Sequence, residues 1–152
     1  MMRKVLLWAS TNPFLAERLP RMGFVKRATS RFMPGESLEE ALAEAEVMSV
    51  KGIGTLVTLL GENLSSIEDA DAVLDQYLGV LRDVTKRGLD AEISIKLTQL
   101  GLDFGPEIAQ EGLRRLAEAT SSIVWIDMES SDYVDVTLDI FRNVKLTHSN
   151  LG

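Results

Sequence analysis

The chain has 152 residues, 45% of them hydrophobic and 26% charged, which is enough for one domain with a substantial core. It contains no cysteine and a single histidine, His148, so a disulfide framework and a thiolate metal site are excluded and a histidine-based metal site is not expected. The formal net charge of −7 disfavours nucleic acid as a partner, because phosphate neutralisation needs clustered Lys and Arg.

That charge is unevenly spread. Residues 1–31 carry Arg3, Lys4, Arg18, Arg21, Lys26, Arg27 and Arg31 against one acid, Glu17. Residues 1–30 are therefore read as a basic helical arm, broken into short pieces by Pro13 and Pro20. Its apolar run, Val5 to Ala9, is too short to span a bilayer. Two placements suit it: a short helix packed on the domain, or a basic amphipathic segment lying on an anionic membrane surface.

Residues 31–152 alternate short apolar runs with longer amphipathic ones. Phe32-Met33-Pro34 is a short first strand. Ser37 and Glu40 form a capping box ahead of a helix that Gly52 stops, with Leu38, Leu42, Ala45 and Val50 as its apolar stripe. "GTLVTLLGE" reads as a second strand ended by Gly61. Ser65 or Ser66 then opens a long helix running through Lys86, and Gly88 terminates it. "AEISIKL" is a third strand and "GPEIAQEGLRRLAEAT" a third helix, with Pro106 in its first turn. "SIVWIDM" is the fourth strand, "DYVDVTLDIFRN" a shorter fourth helix, and "VKLTH" begins a fifth strand.

Strands alternating with helices imply an α/β fold with a parallel sheet and right-handed crossovers. Two architectures fit. One is a five-stranded doubly wound sheet, which the length favours, since a complete eight-stranded barrel needs about 250 residues. The other is the N-terminal half of a (β/α)8 barrel, with about four βα units plus a fifth strand, which the residues at the strand ends favour.

In both architectures ligands gather at the carboxyl ends of the strands. Those ends carry Glu36, Glu62, Lys96, Asp127 and Glu129. Lys96 interrupts the run Ile93, Ile95, Leu97, and a charge placed among buried apolar neighbours is costly unless it is paired or faces a polar cavity. It is either a structural partner of Asp127 or Glu129, or a ligand-binding group. Glu36 and Glu62 sit beside helix starts, where a carboxylate meets the helix dipole favourably without any further role. The glycines of "KGIGTL" precede a strand rather than joining a strand to a helix, so they read as a turn and not a phosphate loop. Trp8 and Trp125 read as packing residues.

The stretches "RFMPGESLEEAL", "LVTLLGE", "RGLDAEISIKLTQLGLD" and "IDMESSDYVDVTLD" resemble the successive β/α motifs of the proline dehydrogenases, and of the monofunctional bacterial type in particular. The resemblance covers nearly the whole chain and rests on four ordered motifs. It implies a distorted (β/α)8 barrel holding FAD, which oxidises L-proline to Δ1-pyrroline-5-carboxylate and passes electrons to a quinone at the membrane. Lys96 matches the lysine of the family's "S-[VI]-K-L" motif, which helps to hold the substrate carboxylate. Asp127 matches the pocket aspartate of "I-D-M-E", so Asp127 and Lys96 are the implied catalytic-site pair. Met128 follows close to the flavin, with Glu129 in a supporting role. "THSNLG" stands where the family has "Q-[SA]-[YN]-L", which makes Thr147 and His148 the implied cofactor contacts, with His148 at the glutamine position and not a base.

The sequence departs from the family in stopping inside the fifth strand, without the later strands and without the arginine helix that binds the substrate carboxylate. The expectation is a truncated, inactive chain located in the cytoplasm or peripherally at the inner face of the cell membrane. Its alternatives are a non-catalytic half-barrel that self-associates, since exposed sheet edges and an apolar interior favour association, and a flavodoxin-like nucleotide-binding domain.

Overall fold

Helix α1, Leu38–Val50, begins where the sequence places it: Ser37 Oγ accepts from the Glu40 amide and Glu40 Oε2 from the Ser37 amide, each at 3.3 Å. These contacts come from a computed structural model that describes residues 37–61 and 64–152. The chain divides into two compact units, Met1–Glu44 and Ala45–Gly152. The basic arm, the first strand at Phe32, Glu36 and Glu62 lie outside the described residues. Of the apolar stripe of α1, Leu42 and Ala45 are buried, whereas Leu38 and Val50 are exposed.

The second unit contains a three-stranded parallel sheet. Strand β1, Thr55–Val57, leads to helix α2, Ile67–Arg87. Ser66 and Asp69 cap α2 reciprocally, and Gly88 ends it in the left-handed region at φ 62°, a conformation glycine adopts without a Cβ penalty. Its buried stripe is Ala70, Leu74, Tyr77, Val80, Leu81 and Val84, the spacing of one helical face. Strand β2, Ala91–Ile95, passes into a 3-10 turn at Leu97–Leu100 and then helix α3, Pro106–Glu118. Strand β3, Val124–Ile126, is followed by a second 3-10 turn, Ser131–Tyr133, and helix α4, Val134–Lys145.

The strands lie in chain order β1-β2-β3, all parallel, with Val57 opposite Ile93 and Ile93 opposite Val124. Ala91, Ile93, Ile95 and Val124 are buried on one face, and α3 contributes Ala109, Leu113 and Leu116 to the core. Burying each such large aliphatic side chain contributes about 1.5–3 kcal/mol. Strand alternation turns Glu92 and Ser94 of β2, and Trp125 of β3, to the other face, with Lys96 and Asp127 just past the two strand ends. Leu56 and Trp125 are exposed on that face.

The fifth strand does not begin at "VKLTH". Val144 and Lys145 are the last turn of α4, because Thr137, Ile140 and Val144 continue its buried face at helical spacing. Lys145 then closes the helix end, its Nζ donating to the carbonyls of Ser149 at 2.8 Å and Leu151 at 2.6 Å. Parallel pairing resumes only at Asn150–Gly152: the Val124 amide bonds Asn150 O, and the Gly152 and Ile126 amides bond Val124 O and Gly152 O. This segment lies beside β3, so the sequential order continues without reversal.

Candidate active site

Beyond Ile95 and Ile126 the chain leaves the sheet, and polar side chains meet at the carboxyl ends of β2 and β3. The last ladder bond there runs from the Asp127 amide to Ile95 O at 2.8 Å, fixing the two strand ends side by side. Above it lies an open cavity of about 520 Å³. Lys96, Thr98 and Asp103 line it from the β2 side, and Asp127, Met128, Glu129 and Tyr133 from the β3 side.

Each of the three carboxylates accepts a hydrogen bond from a hydroxyl. Ser94 Oγ donates to Asp127 Oδ1 at 2.8 Å, Thr98 Oγ1 to Glu129 Oε1 at 2.6 Å, and the Tyr133 hydroxyl to Asp103 Oδ1 at 2.7 Å. The Thr98 amide adds a second bond to Glu129 Oε2 at 3.2 Å. Ser94 and Thr98 are buried, so these donors are rigid and aim their acceptors. The Asp103 bond raises the Tyr133 hydroxyl above its ordinary ionisation range, because ionisation would remove the proton that the carboxylate holds.

A second polar group gathers around Tyr77 of α2. Tyr77, wholly buried, accepts from the Leu59 amide at 3.1 Å and has Ser94 O and Gln99 Oε1 within 3.0 and 3.1 Å of its hydroxyl. Burial pushes the Tyr77 ionisation upward.

Among the residues expected at the site, Lys96, Asp127, Met128 and Glu129 come together on one cavity. Thr147 and His148 do not join them. They lie in the turn that follows α4, ahead of the pairing segment Asn150–Gly152, where His148 Nε2 is 3.6 Å from Glu118 Oε1 at the end of α3. Lys96 is half-buried and Met128 is 52% exposed. Sequence reasoning missed Ser94, Thr98, Gln99, Asp103, Tyr77 and Tyr133. The available signal was in "ISIKLTQL", where small polar residues interrupt a run of buried apolar ones. Trp125, read as a packing residue, is 39% exposed, and its indole N–H bonds Glu92 Oε2 at 2.6 Å. Its ring leaves no room at Gly152, where a Cβ would stand 2.6 Å from it.

A parallel α/β chain whose charged residues gather at the carboxyl ends of its strands belongs to the class that binds small ligands at that mouth. The family model described as proline dehydrogenase matches residues 41–150. The chain belongs to the proline dehydrogenase family. It is 30% identical over 155 residues to proline dehydrogenase 1 of Bacillus subtilis subsp. natto, covering 100% of this chain and 51% of that protein. It is 29% identical over 148 residues to the proline dehydrogenase of Deinococcus radiodurans, covering 93% and 47%. The chain thus spans about half the length of the curated relatives it matches. Among solved structures, proline utilization A from Bdellovibrio bacteriovorus, inactivated by N-propargylglycine, superposes with a TM-score of 0.63 at 19% identity, over 73% of this chain and 14% of that one. That likeness concerns the fold. No helix among the described residues is long and apolar enough to cross a membrane.

Proposed function

We propose that this chain supplies the proline-binding side of an FAD-dependent proline dehydrogenase, built on the first βα units of a (β/α)8 barrel. The sequential parallel strand order, with no reversal, supports the barrel over a doubly wound sheet. The observation that carries the function is the gathering of Lys96 and Asp127 on one cavity at the carboxyl ends of β2 and β3. Proline is a zwitterion with a carboxylate and a secondary ammonium. Lys96 offers the ammonium for the first, and Asp127, held through Oδ1 by Ser94, keeps its other oxygen for the second.

The residues present suit one side of a flavin. Met128 and Trp125, 52% and 39% exposed, offer apolar surface to a flat ring beside Asp127. Bound there, FAD would supply the hydride acceptor for oxidation of the proline C–N bond. The part of the protein is to hold proline by both charged ends and keep it oriented. Electrons leave for a quinone or other membrane acceptor, and the basic arm provides a peripheral contact with an anionic surface.

Among the described residues lining the cavity, Lys96 supplies the positive charge, against Asp103, Asp127 and Glu129. With three carboxylates beside this ammonium among the described lining residues, a substrate carboxylate is held weakly, so the 152-residue chain is expected to turn over little proline by itself. The test is to mix the purified chain with FAD and L-proline and follow the visible flavin band. The expected outcome is saturable proline binding that Lys96→Met weakens, with little bleaching. Absence of proline binding in the unsubstituted chain would overturn the proposal, and full bleaching would show that these residues suffice for turnover.

A further inference from the structure

Gln99 is 3% exposed, and its side-chain amide is bonded to three separate segments. Its Nε2 donates to Leu59 O at 2.9 Å and Gly61 O at 2.6 Å, both beyond the end of β1. Its Oε1 lies 3.1 Å from the Tyr77 hydroxyl on α2 and 3.4 Å from the Lys96 amide at the end of β2. The main chain of Gln99 completes the enclosure, its own N–H bonding Lys96 O at 3.0 Å. Both peptide groups that flank the Cα of Lys96 are therefore bonded to one residue. Lys96 lies just past the last residue of β2, in extended conformation at φ −106° and ψ 136°, before the 3-10 turn begins.

A buried glutamine would be replaceable by a methionine of similar length if it only filled space. Its four polar contacts instead set where the peptide carrying Lys96 stands relative to α2 and to the segment that follows β1. We propose that Gln99, supported by Tyr77, is a positioning residue for Lys96: it fixes the strand-end peptide from which the ammonium is presented to an anionic substrate carboxylate. This rests on the proposed role of Lys96 in holding proline, while the geometry of the clamp stands independently of it.

The test reads the lysine itself. The full chain is treated briefly with acetic anhydride, with and without L-proline, and acetylation of Lys96 is measured by mass spectrometry relative to exposed Lys51 in the same molecules. In the unsubstituted chain proline should slow Lys96 selectively. Gln99→Met should shift the Lys96-to-Lys51 ratio threefold or more and abolish the protection, with circular dichroism unchanged. Should Gln99→Met fail to fold, Tyr77→Phe, which removes one of the clamp's partners, should move the ratio in the same direction by a smaller factor. A merely structural role lowers the melting temperature but leaves the ratio in the folded chain as it was, and that result would overturn the proposal. A chain in which the ratio shifts but proline never protects Lys96 would retain the clamp and overturn the proline reading.

Discussion

The two ends of the sheet use similar polar side chains for opposite purposes. At the amino end the Asn150 side-chain nitrogen is directed at backbone: its Nδ2 donates to the carbonyls of Ala117, Thr120 and Ser122 at 2.9, 2.8 and 3.3 Å. Those bonds fasten the end of α3 and the turn after it to the pairing segment Asn150–Gly152, so the donors of this amide serve the main chain. At the carboxyl end Ser94, Thr98 and Tyr133 are directed at side-chain carboxylates, which accept the bond and still hold lone pairs free for a guest. A hydrogen bond to a main-chain carbonyl closes a structure, whereas one to a carboxylate aims it. The difference separates stability from ligand binding along a strand only a few residues long.

Substitutions at the two ends should therefore dissociate. The largest effect is expected at the mouth: Lys96→Met removes a charge-assisted bond worth about 1.5–3 kcal/mol, so proline affinity should fall about 10- to 100-fold by titration calorimetry. Its melting temperature should move less than that of an amino-end variant. Asn150→Ala should do the converse. Leaving partly buried carbonyls without their donor costs about 1–3 kcal/mol, seen as a lower midpoint in urea, with proline affinity within twofold of the unsubstituted chain. If Asn150→Ala weakened proline binding as strongly as Lys96→Met, the division between the ends would be wrong.

The smallest effect concerns pH and lies at the mouth end alone. The chain has two tyrosines, Tyr77 and Tyr133, and both ionise above their ordinary value near 10 in the folded state. The folded protein holds these protons more tightly than the unfolded one. The resulting stability is fully present below about pH 10 and is lost as pH rises through the folded-state values. Absorbance at 295 nm should show tyrosinate appearing late and together with loss of helix signal. Early, independent ionisation of both rings would contradict the burial of Tyr77.

Much of this was legible in the sequence. The helix boundaries rested on local chemistry, and the caps at Ser37, Ser66 and Gly88 all form. Lys96 and Asp127 could be found because a charge at the end of an apolar strand contradicts its surroundings. The last strand was not legible. Val144 and Leu146 alternate with polar neighbours as a strand would, yet the helix continues because Val144 completes a buried face. The residues that do pair, Asn150 and Gly152, have little strand propensity and are placed by tertiary bonds. Gln99 was invisible for a similar reason, since a glutamine's partners lie about 40 residues away in the chain, at Leu59 and Gly61.

One consequence of that clamp concerns how such a protein can change over time. Ladder pairing between β1 and β2 ends at Val57 and Ile93, while the segment Leu59–Gly61 beyond it is bonded, among the described residues, to Tyr77 and Gln99. Strand register and the position of the segment after β1 are thus set by different residues. The connection between β1 and α2 can therefore vary in length or sequence without sliding any strand past its neighbour, so it can change while the sheet beside it is inherited intact.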